Sequence, residues 1–209
     1  MLKLLKPLPR ELVVACSGGV DSMAVIDFLR RKHTVTAAFY HHDTPNSDRA
    51  AVTVARYCTD NHIPLLMGTL SGTKPEGLSQ EEWWRNCRYE FLDGIGTTLG
   101  PVVTAHHLDD STETYLWGAL HGTPKVIPYS RGNVVRPFLT TLKQEFIDWC
   151  TRHDVQWAED TSNQDTAYTR NYIRREMMPL ALRVNPGLTT TVRKIIEKQI
   201  SVDNTLGVC

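Results

Sequence analysis

Two periods of apolar residues alternate along the chain. Short apolar runs fall at residues 13–15, 34–40, 64–67 and 102–105, and longer stretches with apolar positions three and four apart lie between them. Residues 23–32 carry apolar side chains at 23, 25, 26, 28 and 29 and end in basic ones, which predicts a helix packed on a sheet. A second helix is expected over 47–61. Ser79-Gln80-Glu81-Glu82 reads as a capping box that opens a third, running towards Leu99, and a fourth starts near Asp109. Strand and helix in alternation predict an α/β fold with a parallel sheet. After Gly122 the texture changes. Pro124, Pro128, Gly132 and Pro137 read as a linker, and helices are expected over 141–152, 170–182 and 187–200. The expected division is therefore residues 1–122 as the sheet domain, with 123–209 as a linker and basic helical extension packed on it.

The link between the first strand and the first helix is the most informative stretch. Ser17-Gly18-Gly19-Val20-Asp21-Ser22 follows the strand directly. Gly18 and Gly19 allow backbone angles closed to other residues, so successive N–H groups can turn inward as an anion nest, and the following helix adds the positive end of its dipole. Ser17 and Ser22 offer hydroxyls. Asp21 is an unusual neighbour for phosphate unless a cation such as Mg²⁺ lies between them, so the loop asks for phosphate and metal together. The plainer alternative is a tight turn capped by Asp21 or Ser22. The loop is neither Gly-x-Gly-x-x-Gly nor a Walker loop.

The fourth strand leads into His106-His107-Leu108-Asp109-Asp110-Ser111-Thr112-Glu113. A helix here places Asp110 and Glu113 on one face, where two carboxylates repel unless a cation joins them. Capping accounts for Asp109 and Asp110 but not for Glu113 or the paired histidines. Upstream, Glu81, Arg85 and Arg88 share a helix face, as a surface ion-pair ladder would. Residues 68–77 form a loop with the composition of a lid.

Composition narrows the class. Hydrophobic residues make up 41% and charged residues 22%, as in ordinary globular chains. No run is long and apolar enough for a membrane span, and the N-terminus is unlike a signal peptide. Five cysteines without a Cys-x-x-Cys pair suggest free thiols, hence a cytoplasmic location. Formal net charge is zero, yet residues 170–198 hold seven basic and two acidic side chains, a local balance of +5 that could form a basic face.

Ser-Gly-Gly-Val-Asp-Ser resembles the pyrophosphate loop of the N-type ATP pyrophosphatases, which cleave ATP between the α- and β-phosphates and adenylate a substrate. Glu81, Arg85, Arg88 and Tyr89, then Ala105-His106-His107-x-Asp109-Asp110-x-x-Glu113-Thr114, resemble the tRNA(Ile)-lysidine synthase family. Arg136-Pro137, Glu159-Asp160-Thr161-Ser162-Asn163 and the segment from Tyr168 to Arg174 share that resemblance, which spans roughly residues 13–186. The family's Arg-Gly after the acidic helix stands here as His121-Gly122. Its members typically carry further tRNA-gripping domains, whereas this chain stops at Cys209.

The resemblance implies a Rossmann-like parallel sheet of the adenine nucleotide α-hydrolase-like kind with a C-terminal helical extension. It implies ATP and Mg²⁺, free L-lysine, and tRNA(Ile) with a CAU anticodon whose wobble cytidine is adenylated and then attacked by lysine. Ser17, Gly18, Gly19, Val20, Asp21 and Ser22 would hold the phosphates, with Asp21 on the metal, and the backbone at Phe39 and Tyr40 would meet the adenine. Arg85, Arg88 and His106 are left to stabilise either the α-phosphate or the cytosine oxygen. Asp110 and Glu113 would bind the lysine ammonium, and Asn163, Arg170, Asn171 and Arg174 would face RNA. A homodimer is one way to supply the missing grip. Three alternatives stay open: another adenylating enzyme of this class, such as a tRNA thiolase or an amidotransferase-type synthetase, a hydrolase using His41, His42, His106, His107 and Asp110 on a metal, and an ATP-binding module without turnover.

Overall fold

The computed structural model describes residues 2–159 and 169–205. β1 (Glu11–Ala15), α1 (Val20–Arg30), β2 (Thr34–His41), α2 (Pro45–Asp60), β3 (Leu65–Thr69), α3 (Gln80–Leu99), β4 (Val102–Val103) and α4 (Leu108–Leu120) follow in the expected alternation. The sheet runs in the order β3-β2-β1-β4-β6-β5, parallel throughout except for the final β5–β6 pairing. The chain first winds outward through β2 and β3, then returns across β1 to β4. The carboxyl ends of β1 and β4 therefore flank the point where the winding reverses, which is where open α/β sheets bind ligands.

Alternation along the strands assigns the two faces. Leu12, Val14 and Cys16 of β1 and its exit, with Val35, Ala37 and Phe39 of β2, pack with α1, α2 and α5 (Lys143–His153). Val13 and Ala38 point the other way, onto Tyr89 and Leu92 of α3. A third cluster joins Leu108 of α4 and Leu139 to Leu188, Val192 and Ile196 of α8 (Leu188–Thr205).

Two expectations need correction. The stretch after Gly122 is not a linker alone: β5 (Ser130–Arg131) and β6 (Val134–Val135) form a hairpin, and β6 pairs in parallel with β4. The helix expected over 170–182 is three pieces, α6 (Thr169–Tyr172), a π-helical turn (Ile173–Met177) and α7 (Met178–Val184). Pro179 sits in the first turn of α7; it has no N–H and its ring crowds the carbonyl four residues back, and a widened turn relieves both problems. Among the described residues no helix is long and apolar enough to cross a membrane.

Asp27 ties α1 to its neighbours. It is 1% exposed, and its carboxylate accepts hydrogen bonds from Tyr57 on α2 at 2.8 Å, Trp149 on α5 at 2.9 Å, and Arg30 and Arg31 at 3.0 and 2.8 Å. Burial pushes its pKa up, but Tyr57, Arg31, Trp149 and Arg30 outweigh that and hold it below its ordinary value. The stabilisation is therefore complete above about pH 4 and is lost as pH falls through the depressed value. Asp27→Ala is expected to destabilise the fold by about 3 kcal/mol at neutral pH, with a smaller difference in acid, read from urea midpoints.

Candidate active site

The turn out of β1 is fixed by its own atoms. The Cys16 N–H donates to the Ala38 carbonyl at 2.8 Å, which sets the loop beside the end of β2, where Phe39 and Tyr40 lie. Gly18 has φ +82°, and a Cβ there would approach that of Ala50 to 2.9 Å, so both conformation and space require glycine. Ser22 is buried. Its hydroxyl donates to the Gly19 carbonyl at 2.9 Å and accepts from the Ser17 N–H at 3.1 Å. Ser22 thus braces the loop, and the free hydroxyl expected from it is engaged; the Ser17 hydroxyl, exposed at the rim, also donates to it at 3.2 Å. Gly19 is the N-cap of α1 and makes no side-chain cap, so neither Asp21 nor Ser22 caps the turn. The first-turn N–H groups, from Val20 to Ser22, are the donors a helix start leaves for a ligand. The Cys16 thiol is no nucleophile here, since burial pushes it up to about 12.

Asp21 projects from this turn towards β4. Its Oδ2 faces His107 Nε2 at 3.7 Å and Lys143 Nζ at 3.5 Å, while its Oδ1 is buried without a hydrogen-bond partner. An orphaned carboxylate oxygen beside a phosphate loop fits Mg²⁺, which usually takes one or two protein carboxylates and completes its shell from phosphates and water. Among the described residues no group of three or more His, Cys, Asp or Glu side chains forms a metal cage.

His107, 1% exposed, joins the two halves of the site. It is the N-cap of α4: its Nδ1 accepts from the Asp110 N–H at 3.3 Å, and Asp110 Oδ2 accepts from the His107 N–H at 3.1 Å. Burial works against charge on this ring, but the carboxylates of Asp109, Asp110 and Asp21 outweigh it and raise its pKa. Asp109 does cap a helix, though a different one: its Oδ2 accepts from the Lys143 N–H at the start of α5, at 2.9 Å.

Asp110 and Glu113 do share a face, and both are buried. Their repulsion is relieved by two arginines. Arg170 Nη2 and Arg174 Nη2 lie 2.9 and 3.1 Å from Asp110 Oδ1, and Arg174 also grips both oxygens of Glu113, at 2.6 and 3.1 Å. Arg170 and Arg174, expected on RNA, are thus the counter-ions of the expected lysine site. They differ in hold: the Arg170 side chain is 50% exposed and reaches Glu113 only at 3.6 Å, whereas that of Arg174 is 30% exposed. Burial would raise the Asp110 pKa, but His107, Arg170 and His106 bring it to about 2. Asn171 lies on α6 between the two arginines, and Asn163 falls outside the described residues.

Arg85 and Arg88 do not form the ladder expected with Glu81. Their guanidiniums lie over the Tyr89 ring at 4.8 and 5.9 Å, and among the described residues no carboxylate is within ion-pairing distance of either. Burial, followed by Arg85 and Arg170, lowers the Arg88 pKa, with Tyr89 opposing. His106 Nδ1 meets Thr104 Oγ1 at 2.9 Å, and burial, reinforced by Arg136, Arg170 and Arg88 against Asp110, lowers its pKa to about 3. It is neutral at physiological pH, suited to a hydrogen bond rather than to carrying charge. At the end of β2, Tyr40, His42 and Trp84 make ring contacts at 5.1 and 5.5 Å, and His42 Nδ1 and Trp84 Nε1 are buried without partners.

Lys143, Arg131 and Trp84 were not among the expected site residues, while His107 was expected only as a ligand in the hydrolase alternative and Arg136 only as part of the family resemblance. The doubled histidine was a visible signal for His107. Lys143 and Arg136 reach the site from 122 and 47 residues away from Asp21 and Tyr89, respectively, and no local spacing announces such contacts.

The phosphate loop at the winding reversal defines the class: residues 1–181 match the PP-loop domain, and the chain belongs to that ATP-utilising family. The U34-tRNA thiolase NcsA from Methanococcus maripaludis shares the fold at a TM-score of 0.72 and 11% identity, over 93% of this chain and 74% of that one. The NH3-dependent NAD synthetase from Campylobacter jejuni does so at 0.53 and 14%, over 92% and 86%. Nearer in sequence are tRNA(Ile)-lysidine synthases. That of Vibrio vulnificus is 32% identical over 198 residues, covering 88% of this chain and 45% of its own length, and that of Lactiplantibacillus plantarum is 33% identical over 203 residues, covering 89% and 45%. The chain therefore spans less than half the length of these relatives.

Proposed function

We propose that the chain adenylates the wobble cytidine of tRNA(Ile) bearing a CAU anticodon and then joins free L-lysine to it, releasing pyrophosphate and AMP. The relatives' names and the order of shared motifs support this reading. The observation that carries it is the buried Asp110–Glu113 pair, linked through His107 to Asp21 on the phosphate loop: a site for a cationic amine beside a site for ATP.

In the first half-reaction the cytosine oxygen on carbon 2 attacks the α-phosphorus and pyrophosphate leaves. The backbone N–H groups of Gly18, Gly19, Val20, Asp21 and Ser22, with the Ser17 hydroxyl, hold the β- and γ-phosphates, and Ser22 keeps the loop in shape. Asp21 would hold Mg²⁺, and the ion would supply charge neutralisation at the leaving group. The backbone at Phe39 and Tyr40 faces the adenine. Arg85, Arg88 and neutral His106 receive the α-phosphate and the cytosine oxygen. In the second half-reaction the lysine side-chain amine attacks carbon 2 and AMP departs with the oxygen. Its ammonium enters the Asp110–Glu113 site in place of the loosely held Arg170. Asp110, with its pKa near about 2, stays ionised as an anchor and is a poor base, which leaves Glu113 to accept the proton.

Incubating the chain with labelled lysine, ATP and a CAU-anticodon tRNA(Ile) transcript is expected to give ATP-dependent label in the RNA. Pyrophosphate release without label would move the protein to another amine or RNA. No pyrophosphate release with any of them would sink the adenylation reading.

A further inference from the structure

More positive charge surrounds Tyr89 than the proposed chemistry uses. Arg131, on β5, lies over the same ring at 5.0 Å, alongside Arg85 at 4.8 Å and Arg88 at 5.9 Å. Arg136, the residue after β6, is 2% exposed; it donates to the Tyr89 hydroxyl at 3.1 Å and to the Pro128 carbonyl at 2.9 Å, and its Nε is buried without a partner. Among the described residues none of the four arginines has a carboxylate within ion-pairing distance. Four guanidiniums gathered on one phenol, one of them fully buried with a free donor, repel one another, and an anion would relieve that repulsion.

We propose that Arg131, backed by Tyr89 and the buried Arg136, forms a subsite for a backbone phosphodiester of the RNA strand that carries the target base, beside Arg85 and Arg88 at the reaction centre. This rests on the proposed RNA substrate. Three observations favour a phosphodiester over a phosphate of ATP. The phosphate loop, with Arg85 and Arg88, already supplies donors for ATP. Arg131 is exposed, so the anion it meets stays partly in solvent, as a link in a chain does. The guanidinium fork matches two phosphate oxygens at once. The subsite is also continuous with the reaction centre, since Arg88 is felt electrostatically by His106 and Arg170. The β5–β6 hairpin carries Arg131 and is fastened to α3 by Asn133, whose amide donates to Thr97 Oγ1 at 3.3 Å. The hairpin thus sets the position of the phosphate relative to the base.

The test compares wild type, Arg131→Gln and Arg131→Lys in binding a CAU anticodon stem-loop RNA over a range of salt, with ATP binding as the check on folding. Arg131 is exposed, so the variants should fold. Arg131→Gln is expected to weaken RNA binding about tenfold at about 0.1 M salt and to make the log–log salt dependence shallower by about 0.7, the value for one contact to a single strand. Arg131→Lys is expected to restore the slope but only part of the affinity, because it returns the charge without the fork. Unchanged affinity and slope in Arg131→Gln would overturn this subsite and leave the proposed reaction standing. A wild-type chain that binds no RNA would overturn both.

Discussion

Asp21→Asn is expected to lower ATP-dependent pyrophosphate release by roughly three orders of magnitude with little change in stability. The substitution keeps the shape of the side chain and removes its charge. What it takes away is specific: Oδ1 is buried without a partner in this structure, and no second carboxylate is grouped with it in a metal cage among the described residues. An amide oxygen can still point the same way but holds a divalent cation far less tightly. Stability should hold because the Asp21 side chain is 27% exposed and its contacts to His107 and Lys143, at 3.7 and 3.5 Å, are loose. Pyrophosphate release, measured with a Mg²⁺ titration and a thermal melt alongside, separates the possibilities. Partial recovery at high Mg²⁺ supports the metal role. A wild-type rate at low Mg²⁺ would remove Asp21 from it.

Much of this architecture was legible because it is local. Period-two alternation in β1 sends Leu12 and Val14 to one face and Val13 to the other, and the Ser-Gly-Gly turn announces the phosphate loop before any contact is known. What escaped depends on partners distant in sequence. The strands β5 and β6 have two residues each and lie in a Pro- and Gly-rich stretch; only pairing of Val134 and Val135 with Val102 and Val103 on one side, and with Ser130 and Arg131 on the other, makes them strands. Spacing placed Asp110 and Glu113 on one face but could not show which cations face them. Arg170 and Arg174, four residues apart, reach them because the π-helical turn that follows α6 packs on α4. Side-chain chemistry also does not reveal direction: the hydroxyl of Ser22 could have faced phosphate, and the structure turns it to the Gly19 carbonyl instead.

The counter-ion pattern makes Glu113→Gln the variant that separates the two half-reactions. Pyrophosphate release is expected to survive, because the phosphate loop and Asp21 are untouched, while lysine transfer falls by about two to three orders of magnitude as the proton acceptor is lost. The two arginines should behave differently from one another. Arg170 competes with an incoming ammonium and is half exposed, so Arg170→Gln is expected to lower the KM for lysine several-fold. Arg174 neutralises both buried carboxylates, so Arg174→Gln leaves them under-compensated and should destabilise the fold by about 3 kcal/mol. Single-turnover assays that follow pyrophosphate and labelled lysine in the same reaction, over a range of lysine, would read the first two, and urea midpoints the third. If Glu113→Gln stayed folded yet lost both half-reactions, the carboxylate pair would belong to the ATP chemistry, and the amine would have to bind elsewhere on this edge of the sheet.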